Sequence, residues 1–503
     1  MTARIASDPG YQICVRCIMD TSDGQVFFDG DGVCNYCRDF DRHVKPSWPP
    51  GESQRRRLER KLEEMRAAGR GREHDCIIGL SGGLDSTYLA YCARDFGLRP
   101  LIVHVDTGWN TDLASRNIET TLRKLGYDFH TVVIDWEEMR DLQVAFLRSG
   151  VANLDIPQDH AIITALYRTA REYGIRYMLS GQNHASESVL PRTWGYDNAD
   201  GYHVLSIWRK FSRHKPRRFP LMTFSELCGY RWSHPQDDRL ESIAPLNFLP
   251  YRREEAIALL QDRLGFRKYE GKHGESRFTP YFQGHLLLRK HGYDKRRAHL
   301  ASLVLSGQIS RAEALGALEA PPLTDAEAKA LERFVLKKLE LEDAEFARIM
   351  AAPARNFMDY PSYHDRIRRM EWLLQTEAPR AVIDREIDDA DALMEEAMYG
   401  ETLASFTPVD AGRPIYLYGT GAGGRSMLEQ LRSRGYGNVR GFIDSRQGGS
   451  LEGLPVMTLD AYIPTHQDTH QILVCSQYHA QITRLLVRGG ITAFYRAHLL
   501  MQG

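Results

Sequence analysis

A chain of 503 residues is too long for one ordinary hydrophobic core, so about two to four domains are expected. Lys and Arg number 65 against 66 Asp and Glu, and this balance gives no chain-wide support for a nucleic-acid-coating protein, so a nucleic-acid partner is not expected. Hydrophobic residues at 43% describe a globular protein, no apolar run reaches the ~18 residues of a membrane helix, and the N-terminal residues lack the apolar stretch of a secretory signal; a cytoplasmic location without a membrane partner is expected.

Eight cysteines are few for this length, and four fall within the first 40 residues. Cys14-x-x-Cys17 and Cys34-x-x-Cys37 are separated by sixteen residues, so each pair can clamp a metal from a tight knuckle. Four thiolates with no spare position predict structural Zn²⁺ on Cys14, Cys17, Cys34 and Cys37; reduced thiols and an iron–sulfur cluster are the alternatives. Cys76, Cys92, Cys228 and Cys475 are isolated and expected as small buried apolar residues.

After this module (1–52), "SQRRRLERKLEEMRAAGR" reads as a charged helix with Leu58, Leu62 and Met65 at helical spacing. From residue 75 strands and helices alternate: "DCIIGLSGG", "STYLAYCARDFG", "RPLIVHVDTG", "SRNIETTLRKLG", "DFHTVVIDW", "DHAIITALYRTAREYG" and "IRYMLSGQN". That alternation predicts an α/β domain over 53–250, its parallel sheet covered on both faces. Residues 251–400 read as a helical substrate or linker region. At 401–503 the alternation restarts, predicting a separate α/β unit.

The strand–SGGLDS–helix junction at 80–86 is suited to holding phosphate. Glycines let the main chain approach an anion, and the following helix presents free N–H groups and its positive dipole end. Ser81 and Ser86 can donate hydroxyls, and Asp85 can orient the loop or help hold Mg²⁺. No Gly-Lys-Ser/Thr follows, so this is not a Walker A sequence. Downstream, residues 269–299 collect Lys272, His273, Glu275, Ser276, Arg277, Lys295, Arg296, Arg297 and His299 around aromatics. Such charge is suited either to a solvated face or to gripping phosphate or carboxylate, where Arg makes bidentate contacts.

Ser-Gly-Gly-x-Asp-Ser in this setting closely resembles the PP-loop of the ATP pyrophosphatases, whose fold is adenine nucleotide alpha hydrolase-like and which release pyrophosphate and leave AMP on a substrate oxygen. That resemblance implies ATP as cosubstrate, bound by Ser81, Gly82, Gly83, Asp85 and Ser86. It adds Asp106 from "VHVDTG" and Gly181, Asn183 and Glu187 from "SGQNHASE". Ala185 and Ser186 replace the two aspartates usual in the latter turn, which leaves Asp85 and Glu187 as the carboxylates for Mg²⁺.

A closer resemblance is carried by "CVRCIMDTSD", "FDGDGVCNYC", "LSGGLDSTY", "NLDIPQDHAI", "GKHGESRFTPYFQ" and "GYDKRRAHLASLVLSGQISRAEAL". Together they are similar to the bacterial N-acetyl sugar amidotransferases over roughly residues 11–375. The resemblance implies conversion of an acetamido group on a sugar, often nucleotide-linked, to an acetamidino group, in surface-polysaccharide or nonulosonic-acid biosynthesis. Candidate catalytic residues are then Asp85, Lys272, His273 and Arg277. Candidate substrate contacts are Asp159, His160, Glu275, Ser276, Lys295, Arg296 and Arg297, with His273 or His160 as the candidate base. No glutaminase nucleophile is evident in the chain, so a separate glutaminase subunit, with a cyclase-like companion, is the expected ammonia source.

In the C-terminal stretch Gly419-x-Gly421-x-x-Gly424 follows a strand, and Asp444 comes some twenty residues later, a Rossmann-like spacing. Binding of a nucleotide or sugar nucleotide, docking alone, and true NAD use are all compatible with it. Two rival functions are a PP-loop tRNA-thiolation enzyme and a non-catalytic, nucleotide-sensing assembly protein.

Overall fold

Cys76–Gly79 is a short, fully apolar run ending in glycine, and it forms the central strand β1 of a five-stranded sheet. In the computed structural model, which describes residues 10–212, 214–233, 240–269, 274–403 and 405–501, the other strands are β2 (Pro100–Asp106), β3 (Phe129–Val133), β4 (Tyr177–Leu179) and β5 (Glu241–Ile243). Their order is β3-β2-β1-β4-β5 and every pairing is parallel. The α/β architecture read from the sequence is the one observed. β1 and the start of β2 are buried on both faces, as continuous apolar strands in a parallel sheet must be. β3 alternates exposed and half-buried positions, as an edge strand does.

The crossover helices have local reasons for their ends. Thr111 Oγ1 accepts from Ala114 N (3.1 Å) and starts the helix Asp112–Leu125, and Asp135 caps Trp136–Ser149. Strand order runs one way from β1 to β3 and the other way from β1 to β5. The chain therefore reverses direction between β1 and β4, and a crevice opens beyond their carboxyl ends. SGGLDS follows β1 and SGQN follows β4, so the two turns singled out in the sequence flank that crevice.

The described residues divide into two compact units, Met1–Met222 with Glu226–Ser362, and Thr223–Ser225 with Tyr363–Gly503. The first unit holds the five-stranded sheet, the cysteine module and the helices Lys295–Leu305, Arg311–Gly316 and Asp325–Leu339. The cysteine module packs its buried Ile18 and Met19 against Ala298, Ala301 and Ala314. In the second unit the helices His364–Gln375 and Arg380–Met398 precede seven strands: β6 (Glu401–Thr402), β7 (Ile415–Tyr418), β8 (Val439–Asp444), β9 (Gly449–Leu451), β10 (Leu454–Thr458), β11 (Gln471–Val474) and β12 (Tyr495–Arg496). The order is β6-β12-β11-β7-β8-β10-β9, parallel except for the β9–β10 pair. The sequence reading ends the helical region at 400, whereas the compact division falls at Tyr363. The helix Arg380–Met398 buries Ile383, Ile387 and Met394, and it meets the helix His479–Arg488 through an Arg484–Asp388 ion pair at 3.2 Å. No described helix is long and apolar enough to cross a membrane.

Two fully buried histidines make the first unit pH-sensitive. Burial lowers the pKa of both His160 and His203 to about 4. The unfolded chain, near 6.5, then binds more protons than the folded one as pH falls from about 6.5 towards 4. The stability is present above that window and is lost through it, on the order of 3 kcal/mol per histidine at its lower end. Thermal melts should show a lower midpoint at pH 5 than at pH 7.5. His160→Gln should flatten the dependence, and equal midpoints at the two pH values would contradict it.

Candidate functional site

The SGGLDS turn is shaped by contacts within it and beneath it, and Ser81 N donates to Ser86 Oγ (3.3 Å). Gly82 has φ +78°, and a Cβ there would stand 2.6 Å from the Ala114 carbonyl oxygen. Its own carbonyl is tied back by Tyr269 Oη (2.8 Å), while Asn117 Nδ2 donates to Tyr269 Oη (3.1 Å) and to Arg267 O (3.0 Å). Ser81 Oγ accepts from Gly83 N (3.2 Å) and meets Ser86 Oγ (3.2 Å). Gly83 is the N-cap of the helix Leu84–Asp95, and no side chain caps it. The first-turn N–H groups of that helix have no intrahelical acceptor and are available to an anion. His104 supports the turn from below. Its Nδ1 donates to Leu80 O (2.9 Å) and its Nε2 accepts from Asn110 Nδ2 (2.9 Å), which fixes the tautomer. Gly82→Ala should cost about 1–3 kcal/mol of stability and weaken nucleotide binding, measured by a denaturant midpoint and a nucleotide titration; unchanged values in both would contradict the loop geometry.

The turn after β4 closes on the same helix start. A Cβ on Gly181 would lie 3.1 Å from the Asp85 carbonyl carbon and 3.2 Å from Ser86 N, so glycine permits the two turns to touch. Between them opens a cavity of about 270 Å³, its wall including Ser81, Gly83, Asp85, Ser86, Gly181 and Glu187. Tyr251 Oη donates to Asp85 Oδ1; Tyr251 is 2% exposed, and burial followed by the nearby Asp85 charge raises its pKa. Glu275 also lines the cavity, and its Oε1 would lie 3.1 Å from a Cβ on Gly83. Three carboxylates around an amide-lined anion cradle repel a phosphate unless a cation stands between them. Asp85 and Glu187 offer the oxygen donors that a hard divalent cation takes. Arg253 and Lys268 bring positive charge to the same wall. Sequence reading missed Tyr251, Lys268 and Tyr269, single residues in irregular segments, and Arg253, the first residue of the helix Arg253–Leu264, because none of them carries a periodic or motif signal.

Not every expected nucleotide contact reaches the cavity wall. Asn183 is 2% exposed and caps the one-turn helix His184–Glu187, accepting from Ser186 N (3.0 Å). Asp106, at the end of β2, accepts from Gly108 N (2.8 Å) and Asn110 Nδ2 (3.3 Å). Both shape loops beside the cavity. Ser276 pairs with Asn110 in an isolated bridge, Thr111 N donates to Glu275 O (2.9 Å), and Arg277 N donates to Trp109 O (2.8 Å). This pairing explains how Glu275, so distant in sequence, reaches the loop. Lys272 and His273 lie outside the described residues. Asp155, in "NLDIPQDHAI", accepts from Thr279 Oγ1 (3.1 Å), Gln283 Nε2 (3.2 Å) and Gln158 Nε2 (3.2 Å), so that stretch clamps the 275–283 segment.

Several expected substrate contacts are engaged elsewhere. His160 is fully buried; its Nδ1 donates to Asn198 O (2.7 Å) and its Nε2 accepts from Met222 N (3.0 Å), which leaves no nitrogen for a substrate or for base chemistry. Asp159 precedes it in the first turn of the helix Ile156–Glu172, and Lys295 opens Lys295–Leu305; neither lines the cavity. Arg296 grips Asp294 (2.7 Å) and the Ala320 carbonyl (2.8 Å). Arg297 donates to Ile18 O (2.7 Å) and pairs with buried Asp20 (2.9 Å), so it braces the cysteine module.

The four cysteines come together as expected. Cys14 and Cys37 sulfurs are 3.7 Å apart, Cys17 and Cys34 3.5 Å, and Cys34 and Cys37 3.7 Å, all fully buried. A tetrahedral Zn–S site with bonds of ~2.3 Å has edges near these values, so the quartet fits a structural metal. N–H groups of Arg16, Cys17 and Cys34 point at Cys14 Sγ (3.3–3.4 Å), and Arg311 donates to the carbonyls of Cys14 and Cys17. Burial pushes the Cys92 thiol up to about 12 and raises that of Cys76, which makes both poor nucleophiles.

In the second unit the Gly419–Gly424 turn follows β7. A Cβ on Gly424 would stand 1.9 Å from Gly419 O, so strand and helix pack with only glycine between them. Gly421 is the N-cap of the helix Ala422–Ser433, without a side-chain cap. Asp444 ends β8 and accepts from Thr420 Oγ1 (2.6 Å) and Arg446 N (2.9 Å), which ties the two turns together.

Residues 275–374 match the family model described as LPS biosynthesis protein WbpG-like, C-terminal domain. No curated protein matches the chain in sequence. Solved structures similar to part of the chain include the U34-tRNA thiolase NcsA from Methanococcus maripaludis with its 4Fe-4S cluster, at 14% identity and TM-score 0.26 over 59% of this chain and 86% of that one. A predicted subunit of tRNA methyltransferase from Methanocaldococcus jannaschii is similar at 16% identity and TM-score 0.22, over 37% of this chain and 71% of that one. NMN synthetase from Francisella tularensis is similar at 15% identity and TM-score 0.20, over 48% of this chain and 88% of that one.

Proposed function

We propose that the first unit is an ATP-dependent, AMP-forming amidotransferase. It adenylates the acetamido oxygen of an N-acetylated, nucleotide-linked sugar and replaces that oxygen with ammonia-derived nitrogen. The observation that carries this reading is the uncapped helix start after β1, opening at the sheet's switch point onto a cavity lined by carboxylates and cations. The match of 275–374 to an LPS biosynthesis family supports surface-polysaccharide or nonulosonic-acid biosynthesis as the setting.

An amide carbonyl is a weak electrophile with a very poor leaving group. Attack by its oxygen on the α-phosphorus of ATP breaks the α–β bridge, releases pyrophosphate and leaves an O-adenylyl imidate. Ammonia then adds to the imidate carbon, loses a proton, and AMP departs with the former acetamido oxygen, leaving an amidine. The first-turn N–H groups of the helix Leu84–Asp95 and the Ser81 and Ser86 hydroxyls hold the pyrophosphate oxygens, where negative charge develops. Mg²⁺ on Asp85 and Glu187 supplies further positive charge there when bound. Tyr251 holds the Asp85 carboxylate in place through its hydroxyl. The ammonia comes from a separate glutaminase subunit with its cyclase-like companion.

The test is an isotope transfer. A nucleotide-linked N-acetyl sugar carrying ¹⁸O in its acetamido carbonyl is incubated with the protein, ATP, Mg²⁺ and ammonium. The reading expects the label in the phosphate of AMP and nitrogen in its place on the sugar. Unlabelled AMP, or ADP as the product, would contradict it.

A further inference from the structure

Beside the cavity stands a pair of cations that the mechanism above leaves unused. The helix Asp325–Leu339 starts on a capping box at Thr324 and buries Ala328, Val335, Leu336 and Leu339. Phe334 and Lys338 are four residues apart and so share one face of it. The Arg277 guanidinium lies over the Phe334 ring, 4.9 Å from its centroid. The Lys338 ammonium lies 4.4 Å from the Trp136 centroid and 5.4 Å from that of Trp109, two indoles packed edge-on at 5.3 Å. Among the described residues Lys338 has these ring contacts and neither a hydrogen-bond acceptor nor an ion pair. Arg277 has an ion pair with Asp112 that is long, at 3.6 Å, to a carboxylate 84% exposed. The buried Trp109 indole N–H also has no acceptor among the described residues.

The backbone fixes this pair next to the nucleotide turn. Trp109 O accepts from Arg277 N, and Glu275, two residues before Arg277, lines the cavity. Among the described residues the one carboxylate that influences Lys338 is Asp106, whose Oδ1 is already taken by Gly108 N and Asn110 Nδ2. Burial lowers the Lys338 pKa, with Asp106 opposing the shift and Arg277 adding to it. An ammonium partly stripped of water, repelled by a neighbouring guanidinium, gains from an incoming anion more than a solvated lysine does. The indole faces attract the ammonium and favour its place over them.

We propose that Lys338 and Arg277 form a subsite for an anionic group, phosphate or carboxylate, carried by the sugar that the enzyme modifies. Calling that sugar the acceptor rests on the amidotransferase reading; the anion site itself rests on the side chains. Lys338 thereby sets substrate class, selecting charged over neutral N-acetylated sugars.

The experiment measures equilibrium binding to the full chain, without ATP, of N-acetylglucosamine 1-phosphate, N-acetylglucosaminuronate and neutral N-acetylglucosamine. Wild type should bind at least one charged probe about tenfold more tightly than the neutral one, and the charged arm that binds identifies the group. K338M should erase most of that preference, K338R should keep it, and added salt should shrink it. A merely structural lysine would move charged and neutral probes together and leave their ratio unchanged. Equal binding of the three probes, no measurable binding of either charged probe, or an unchanged preference in K338M overturns the proposal; the last result would place the anion on the SGGLDS turn. AMP formation is scored separately. A preference that falls in K338M while no sugar yields AMP defeats the amidotransferase reading and leaves the anion site standing.

Discussion

Asp85→Asn is expected to keep the fold and lose AMP formation by about two to three orders of magnitude. The substitution preserves side-chain shape on the helix Leu84–Asp95 and removes the charge that faces the cavity beside Glu187. Without that charge the divalent cation is held more weakly, and the developing pyrophosphate charge is left to the turn's N–H groups. Tyr251→Phe separates position from charge. It removes only the hydroxyl that donates to Asp85, and it should lower turnover about tenfold while cation binding persists. Circular dichroism and melting temperature establish that each variant is folded, and pyrophosphate release gives the rate. An Asp85→Asn enzyme turning over at the wild-type rate would remove this residue from the chemistry.

The second large effect belongs to the cysteine quartet. Cys34→Ser should abolish stoichiometric metal binding and destabilise the first unit by several kcal/mol, at the upper end of single-substitution effects. The reason is structural. Few apolar residues hold the module together, and its buried Ile18 and Met19 pack on the helices Lys295–Leu305 and Arg311–Gly316. Arg311 and Arg297 bind carbonyls of the knuckle, so its collapse leaves partly buried guanidinium donors without these acceptors. Elemental analysis of the purified chain should find one bound metal per chain, and a strong chelator should lower the melting temperature of wild type but not of the variant. A metal-free wild type with the variant's stability would contradict the assignment.

How much of this was legible beforehand depended on whether the signal was local. The parallel sheet announces itself in apolar runs such as "CIIG" and "LIVHV", and the turns in their glycines, of which Gly82 meets backbone too closely for a side chain and Gly181 lies tight against the Asp85–Ser86 backbone. The cysteine spacing is equally local. Tyr251 and Glu275 were harder, since they reach the cavity through pairings with distant segments, Tyr251 to Asp85 and Ser276 to Asn110. Arg297 was misread for the opposite reason. Its charge is obvious in the sequence, but its partner, Asp20, lies in the cysteine module. His160 illustrates a third case, because a motif histidine can be satisfied wholly by main-chain groups. Lys338 sits in an ordinary amphipathic helix, and only the fold sets it over Trp109 and Trp136.

The most direct test of the account is a crystal structure of the protein with Mg²⁺ and a non-hydrolysable ATP analogue. The account predicts terminal phosphates seated on the first-turn N–H groups of the helix Leu84–Asp95 and the cation between Asp85 and Glu187. A nucleotide bound elsewhere, with this turn facing only solvent, would contradict it.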